Sequence, residues 1–265
     1  MEARPRLLKG SNKVKRKTGL FIVFVAVALV IGFLLSRESF YAKQTVGEWM
    51  WNTFTYSVGS ELSMAISAVK NDKTFVLNLP LYRQEHRVTC EVAALRMALG
   101  RYLIEVSEDD LLASLTFDTK DPMRGGVWGD PDAGFVGDPD GALSKYTGYG
   151  VYEYPIRNLA RLYRQAEVLE NPDINTVVNL VSKGKPVIVW NVISKHRSRY
   201  WQTVDGKEIE AHPGEHARVV VGFIGEVTSP ERLILHDPIY GRIVISIEKF
   251  LGEWESLGKK AVVVN

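Results

Sequence analysis

The chain has 265 residues, of which 46% are hydrophobic, and a formal net charge of +2. That is enough apolar material to bury one good core with a small appendage. Eight of its 33 basic side chains and one of its 31 acidic ones lie in residues 1–37, so the remainder is mildly acidic, 25 against 30. No basic stripe interleaved with aromatics follows residue 40, which excludes a nucleic-acid partner from the expectation.

Residues 1–17 read as a cytoplasmic basic tail. Residues 18–36 contain no charged side chain and are mostly Leu, Ile, Val, Phe and Ala, about the length a helix needs to cross a bilayer core. Leu34-Leu35-Ser36-Arg37 is a poor cleavage site, so the segment reads as an uncleaved transmembrane anchor rather than a secretory signal. Seven basic residues precede the span and one follows it, which keeps the amino terminus inside. The expected location is thus the cell membrane, single-pass, with residues 73–265 extracytoplasmic. Between them, Val46, Met50, Phe54, Val58, Leu62, Ile66 and Val69 recur at steps of three and four and predict a juxtamembrane helix within 37–72.

Residues 74–79 predict a short strand ended by Pro80. Cys90, the only cysteine, opens a helix marked by Ala93, Ala94, Met97 and Ala98, with Thr89 as cap and Gly100 as stop. A thiolate at a helix start faces unpaired N–H groups and is stabilised, so its pKa is expected to fall. The plainer alternative is a buried small hydrophobe, but a lone thiol outside the cytoplasm favours a chemical role. Gln84, on the approach to this helix, can donate to a developing oxyanion.

Ser107 caps a second helix. Residues 118–150 form a long loop rich in Gly, Asp and aromatics, in which Trp128 and Phe135 are expected to line a substrate cleft. Asp130, Asp132, Asp138 and Asp140 do not fall in a calcium-loop register, and no metal or other cofactor is expected. Helices follow at 155–164 and 174–182, the second capped by Asp173. A buried strand spans 186–193. Asp205-Gly206 turns a hairpin between 201–204 and 207–210. Strands at 216–223, 233–237 and 243–246, a helix at 247–255 and a strand at 261–264 complete an α+β domain, helical first and sheet-rich later.

A cysteine nucleophile needs a base and the base an orienter. Of five histidines, His216 heads a buried-type strand and Asp237 closes the next one. A hairpin turning near Glu226-Val227 would place them directly opposite each other, within hydrogen-bond reach, with His236 on the other face. His212-Pro213-Gly214-Glu215-His216 also spells a zinc-peptidase pattern, but that pattern needs a helix, which Pro213 and Gly214 oppose.

The set Gln84, Cys90, the small-residue helix, the Gly-Val-Trp-Gly-Asp-Pro run at 126–131, His216 at a strand head and Asp237 before Pro238 resembles the papain-like cysteine peptidases. It is most similar to the bacteriocin-processing, double-glycine leader peptidases (peptidase family C-39) and their stand-alone relatives. The resemblance covers about residues 78–237. It implies a papain-like fold and a thiol hydrolase acting through an acyl-enzyme on a peptide or protein substrate. Carried over residue by residue, Cys90 is the nucleophile, His216 the base, Asp237 the orienter and Gln84 the oxyanion donor. Glu91 stands where many members have Gly, and its charge opposes a neighbouring thiolate. The chain lacks a nucleotide-binding motif and has the opposite expected orientation to exporter-fused leader peptidases, so double-glycine leaders are not assumed as substrate. The alternatives are a catalytically silent module that binds a peptide or wall component, and a transferase on the same fold.

Overall fold

The structure, a computed structural model, describes residues 73–194 and 196–265. The expected anchor at 18–36 and helix within 37–72 lie outside the described residues. No helix among the described residues is long and apolar enough to cross a membrane.

The first half is helical. After β1 (Thr74–Val76) come α1 (Cys90–Gly100) and α2 (Glu108–Ser114). Helix α1 is buried along almost its whole length, from Cys90 through Val92, Ala93, Ala94 and Leu95 to Met97, Ala98 and Leu99. A helix that is apolar all round belongs inside a core, and its alanines let neighbouring elements approach closely. Its expected cap does not form. The Thr89 hydroxyl makes no capping bond to the helix and donates instead to the buried Glu108 carboxylate of α2. Helix α2 is capped as its sequence requires, with Ser107 Oγ accepting the Asp110 N–H at 3.0 Å.

Residues 117–150 are more ordered than their composition implies. Strands β2 (Phe117–Thr119), β3 (Phe135–Gly137) and β4 (Gly148–Gly150) form a three-stranded sheet within what reads as a single loop. Helix α3 (Glu153–Ala160) begins two residues before the expected start, with Pro155 in its first turn, where the missing N–H has no intrahelical acceptor to lose. It is followed by β5 (Ala166–Val168) and α4 (Ile174–Ser182), whose cap Asp173 accepts the Thr176 N–H at 2.7 Å.

The second half supplies β6 (Val187–Val192), the hairpin β7 (Arg199–Gln202) and β8 (Glu208–Ala211), then β9 (Glu215–Glu226), β10 (Ser229–Asp237), β11 (Gly241–Ser246), α5 (Ile247–Glu255) and β12 (Ala261–Val264). The main sheet has seven strands in the order β11-β10-β9-β6-β12-β5, with β1 added to β9. Strand β9 is its spine. One edge pairs with β10, while the other is shared between β6 at residues 215–220 and β1 at residues 222–224. Gly222 permits that sharing, since a Cβ there would lie 2.2 Å from the Phe75 carbonyl oxygen.

The β9–β10 hairpin does not take the expected register. Its ladder begins at Ser229 opposite Glu226, so the turn lies at residues 227–228, one residue later than expected, and each strand carries one extra residue farther along. The two irregularities cancel, and the last pair is His236 with Val219. Continued one step, Asp237 faces Arg218 rather than His216. His216 therefore sits diagonally, two residues along the same face.

Candidate active site

Cys90, His216 and Asp237 come from the start of α1, the start of β9 and the end of β10, and all three side chains are buried. The diagonal is short enough: His216 Nε2 and Asp237 Oδ1 are 2.9 Å apart. The same Asp237 oxygen accepts the N–H groups of Ile239 and Tyr240 at 2.8 and 2.9 Å. Burial pushes the Asp237 carboxyl up, but the His216 partner, Arg218 and the backbone donor of Tyr240 together hold it below its ordinary value. The Tyr240 ring stands edge-on to the imidazole at 6.4 Å between centroids. With Nε2 committed to Asp237, Nδ1 is the ring nitrogen left for a second partner.

The sulfur is held by a different set. Pairing with β10 stops at Val219, so the first residues of β9 have a free edge, and the Ala217 N–H donates across it to Cys90 Sγ at 3.3 Å. The thiol itself donates to Glu91 Oε2 at 3.4 Å, and no hydrogen bond joins it to His216. The expected fall in the thiol pKa is not found. Burial, then the Glu91 and Glu215 carboxyls, push the Cys90 thiol well up, against the Ala217 N–H that pulls it down. Desolvation and like charge outweigh the helix start, whose field is worth about 1 kcal/mol.

Glu91 is fully buried, and its Oε1 accepts the Val151 N–H at 2.8 Å. Gly150, at φ +135°, makes room for it, because a Cβ there would lie 2.3 Å from that oxygen. Burial pushes Glu91 up to about 7. Glu215, the first residue of β9, is pushed well up by burial and then by Glu91. One ligand-type atom from each of Cys90, Glu91 and Glu215 lies within 4.8 Å of the others. In the sequence Glu91 stands out as the residue after the cysteine, whereas Glu215 stands out only as part of the discarded zinc-peptidase pattern, and only the fold brings it to the sulfur.

Gln84 lies on the approach loop, tied to the residue after Asp237 by its N–H to the Pro238 carbonyl at 3.1 Å. Its side-chain nitrogen donates to the carbonyls of His86 and Arg87 at 2.8 and 2.9 Å, and its Oε1 is buried without a partner. His86 pins the same loop from outside, bonded to Asp109 at 2.9 Å and Asp140 at 3.0 Å.

Other residues singled out in the sequence lie elsewhere. Phe135 is completely buried beside Phe117, and Trp128 packs against Trp201 and Tyr146 with its Nε1 donating to the Asp121 carbonyl. Both belong to the core, not to a cleft wall. Aromatics beside glycines serve here to fill a small sheet that composition alone does not reveal. Asp130 and Asp132 are paired with Lys207 at 2.8 and 2.9 Å. The His212 ring lies 3.5 Å from the Ser198 hydroxyl, at the head of a turn that the Glu215 N–H closes onto the His212 carbonyl at 2.9 Å, so 212–216 is not a helix. His236 turns to the opposite face from Asp237, against the Pro80 carbonyl and Arg242.

An α+β domain that holds a cysteine at a helix start against a His–Asp pair on a sheet is of the C-39-like peptidase type. The sequence profile of the Peptidase_C39 like family matches residues 76–262, and the chain belongs to that family. It is 31% identical over 181 residues to the uncharacterized protein YvpB of Bacillus subtilis (strain 168), covering 66% of this chain and 68% of that protein. It is also similar to the crystal structure of a candidate C39-like peptidase from Bacillus anthracis, with a TM-score of 0.62 and 28% identity over 73% of this chain and 98% of that one.

Proposed function

We propose that the chain is a cysteine peptidase, anchored in the membrane by residues 18–36, whose catalytic domain lies outside the cytoplasm. Cys90 attacks the scissile carbonyl, its proton passes to His216 Nδ1, Asp237 stabilises the imidazolium, and the leaving amine takes that proton back. Water then hydrolyses the thioester. Gln84 serves the oxyanion after its amide turns away from the carbonyls of residues 86 and 87. The observation that carries the reading is the 2.9 Å His216–Asp237 bond beside a cysteine whose sulfur touches the next residue of the same strand.

A second reading, a non-catalytic module that captures a peptide or wall component, is favoured by one fact: the thiol donates to Glu91 and not to His216. A transferase would share the acyl-enzyme and differ only in the acceptor. Trapping with a peptide-based thiol electrophile decides between enzyme and module. Covalent capture at Cys90 that His216→Ala slows supports the peptidase reading, whereas capture at an ordinary thiol rate, indifferent to His216, supports the module. Product analysis with an added amine separates hydrolysis from transfer.

A further inference from the structure

Two carboxyl groups, Glu91 and Glu215, lie within 4.8 Å of each other and of the Cys90 sulfur. Glu91 accepts one N–H and one thiol hydrogen bond. The Glu215 side chain makes none, and its Oε1 is sealed from solvent. Among the described residues neither carboxyl has an ion-pair partner. The groups that face them are the Cys90 thiol itself, Glu108 from α2, which Glu91 feels, and Tyr149 and Tyr152, which feel Glu215; His216 neighbours Glu215 on β9. No cation stands in that set apart from a protonated His216. Glu91 is fully buried and Glu215 half-buried with one oxygen sealed, and carboxylates this close do not both ionise readily without a cation, because desolvation and mutual repulsion both penalise the second charge.

We propose that Glu91 and Glu215 hold one proton between them beside Cys90, with the charge on Glu91, and that Glu91 is a positioning residue for the nucleophile. It takes the thiol hydrogen bond in the resting site and keeps the proton on sulfur until the thiol turns to His216. In that turn the proton leaves Sγ for His216 Nδ1, and the carboxyl pair neither gains nor loses one. Glu91 thus adds to burial in opposing the thiolate that a helix start by itself would favour. The inference rests on Cys90 as nucleophile, but its consequences appear in the thiol itself.

The test is the pH dependence of iodoacetamide labelling of Cys90 in the full chain, from pH 5 to 10, followed by mass spectrometry. Glu91→Gln keeps an oxygen for the Val151 N–H and removes the charge, while Glu215 retains the proton. Its profile should move down by at least about one pH unit, some tenfold faster labelling at pH 7. Glu215→Gln leaves the Glu91 charge in place and should move the profile less. A Glu91→Gln profile that superimposes on the wild type or moves to higher pH, or a larger shift in Glu215→Gln, overturns the proposal. Should a variant misfold, carbonyl-labelled glutamate NMR of the wild type replaces it. Two coupled steps with a proton retained at pH 7 support the pair, and two carboxyls both ionised below pH 5 overturn it. Failure of the peptidase reading would look different, since His216→Ala would leave labelling unchanged while Glu91→Gln still shifted it.

Discussion

His216 and Asp237 bond at 2.9 Å across a diagonal of the β9–β10 ladder, two residues out of register with each other. The same Oδ1 also collects the N–H groups of residues 239 and 240, a turn contact within its own segment, so the orienter is held by local backbone as well as by the histidine.

Cys90→Ala should abolish Cys90 labelling and peptide hydrolysis. The site is buried but the lost group is small, so the thermal midpoint should fall by no more than a few degrees, roughly 1 kcal/mol. Hydrolysis surviving in this variant would remove the enzyme reading altogether.

Asp237→Asn should lower turnover to a level between wild type and His216→Ala, because an imidazolium loses its countercharge. It should also flatten the acid limb of stability. A carboxyl held below its ordinary value contributes stability that is present above about pH 4 and lost as pH falls through the folded value. Denaturant melts of both proteins at pH 3 to 6 read this difference. Parallel curves would mean that Asp237 is not ionised in the folded state.

Gln84→Ala should lose on the order of 10² to 10³ in turnover, the usual cost of one oxyanion donor, while iodoacetamide labelling continues. Because the amide also ties the carbonyls of His86 and Arg87, labelling that falls in step with turnover would make Gln84 a loop anchor and nothing more.

His86 is pushed up to about 9, first by its bond to Asp109 and then by Asp140. A histidine raised in this way contributes stability that is full below about pH 6.5 and lost as pH rises through about 9. His86→Gln should remove that slope between pH 6.5 and 9. The pair is solvent-exposed, so the effect is held to about 1 kcal/mol or less. Chemical denaturation at several pH values checks it, and an unchanged slope would locate the titration elsewhere.

The anchor proposal predicts that protease added to intact protoplasts digests the catalytic domain and spares residues 1–17. Protection of the domain would reverse the orientation.

Much of this protein is local and was readable in its residues. Ser107 and Asp173 stand at helix starts because a side-chain oxygen there accepts the N–H three residues on, a matter of neighbours alone. The bounds of α4, α5 and β12 follow from such caps and from apolar runs, and so does the meeting of His216 and Asp237 on one face, since period-two alternation survives a shift of two. What required the tertiary structure was everything set by distant chain. The hairpin register depended on a turn one residue later than its composition suggested. The folding of 117–150 into a small sheet buries Phe135, and packing against Trp201 of the distant β7 buries Trp128. Above all, the Cys90 thiol is pushed up by burial first and then by two carboxyls, that of its neighbour Glu91 and that of Glu215, 125 positions away. A helix start offers a thiolate about 1 kcal/mol, and only packing could place two carboxyls and a sealed core around the sulfur to reverse its sign.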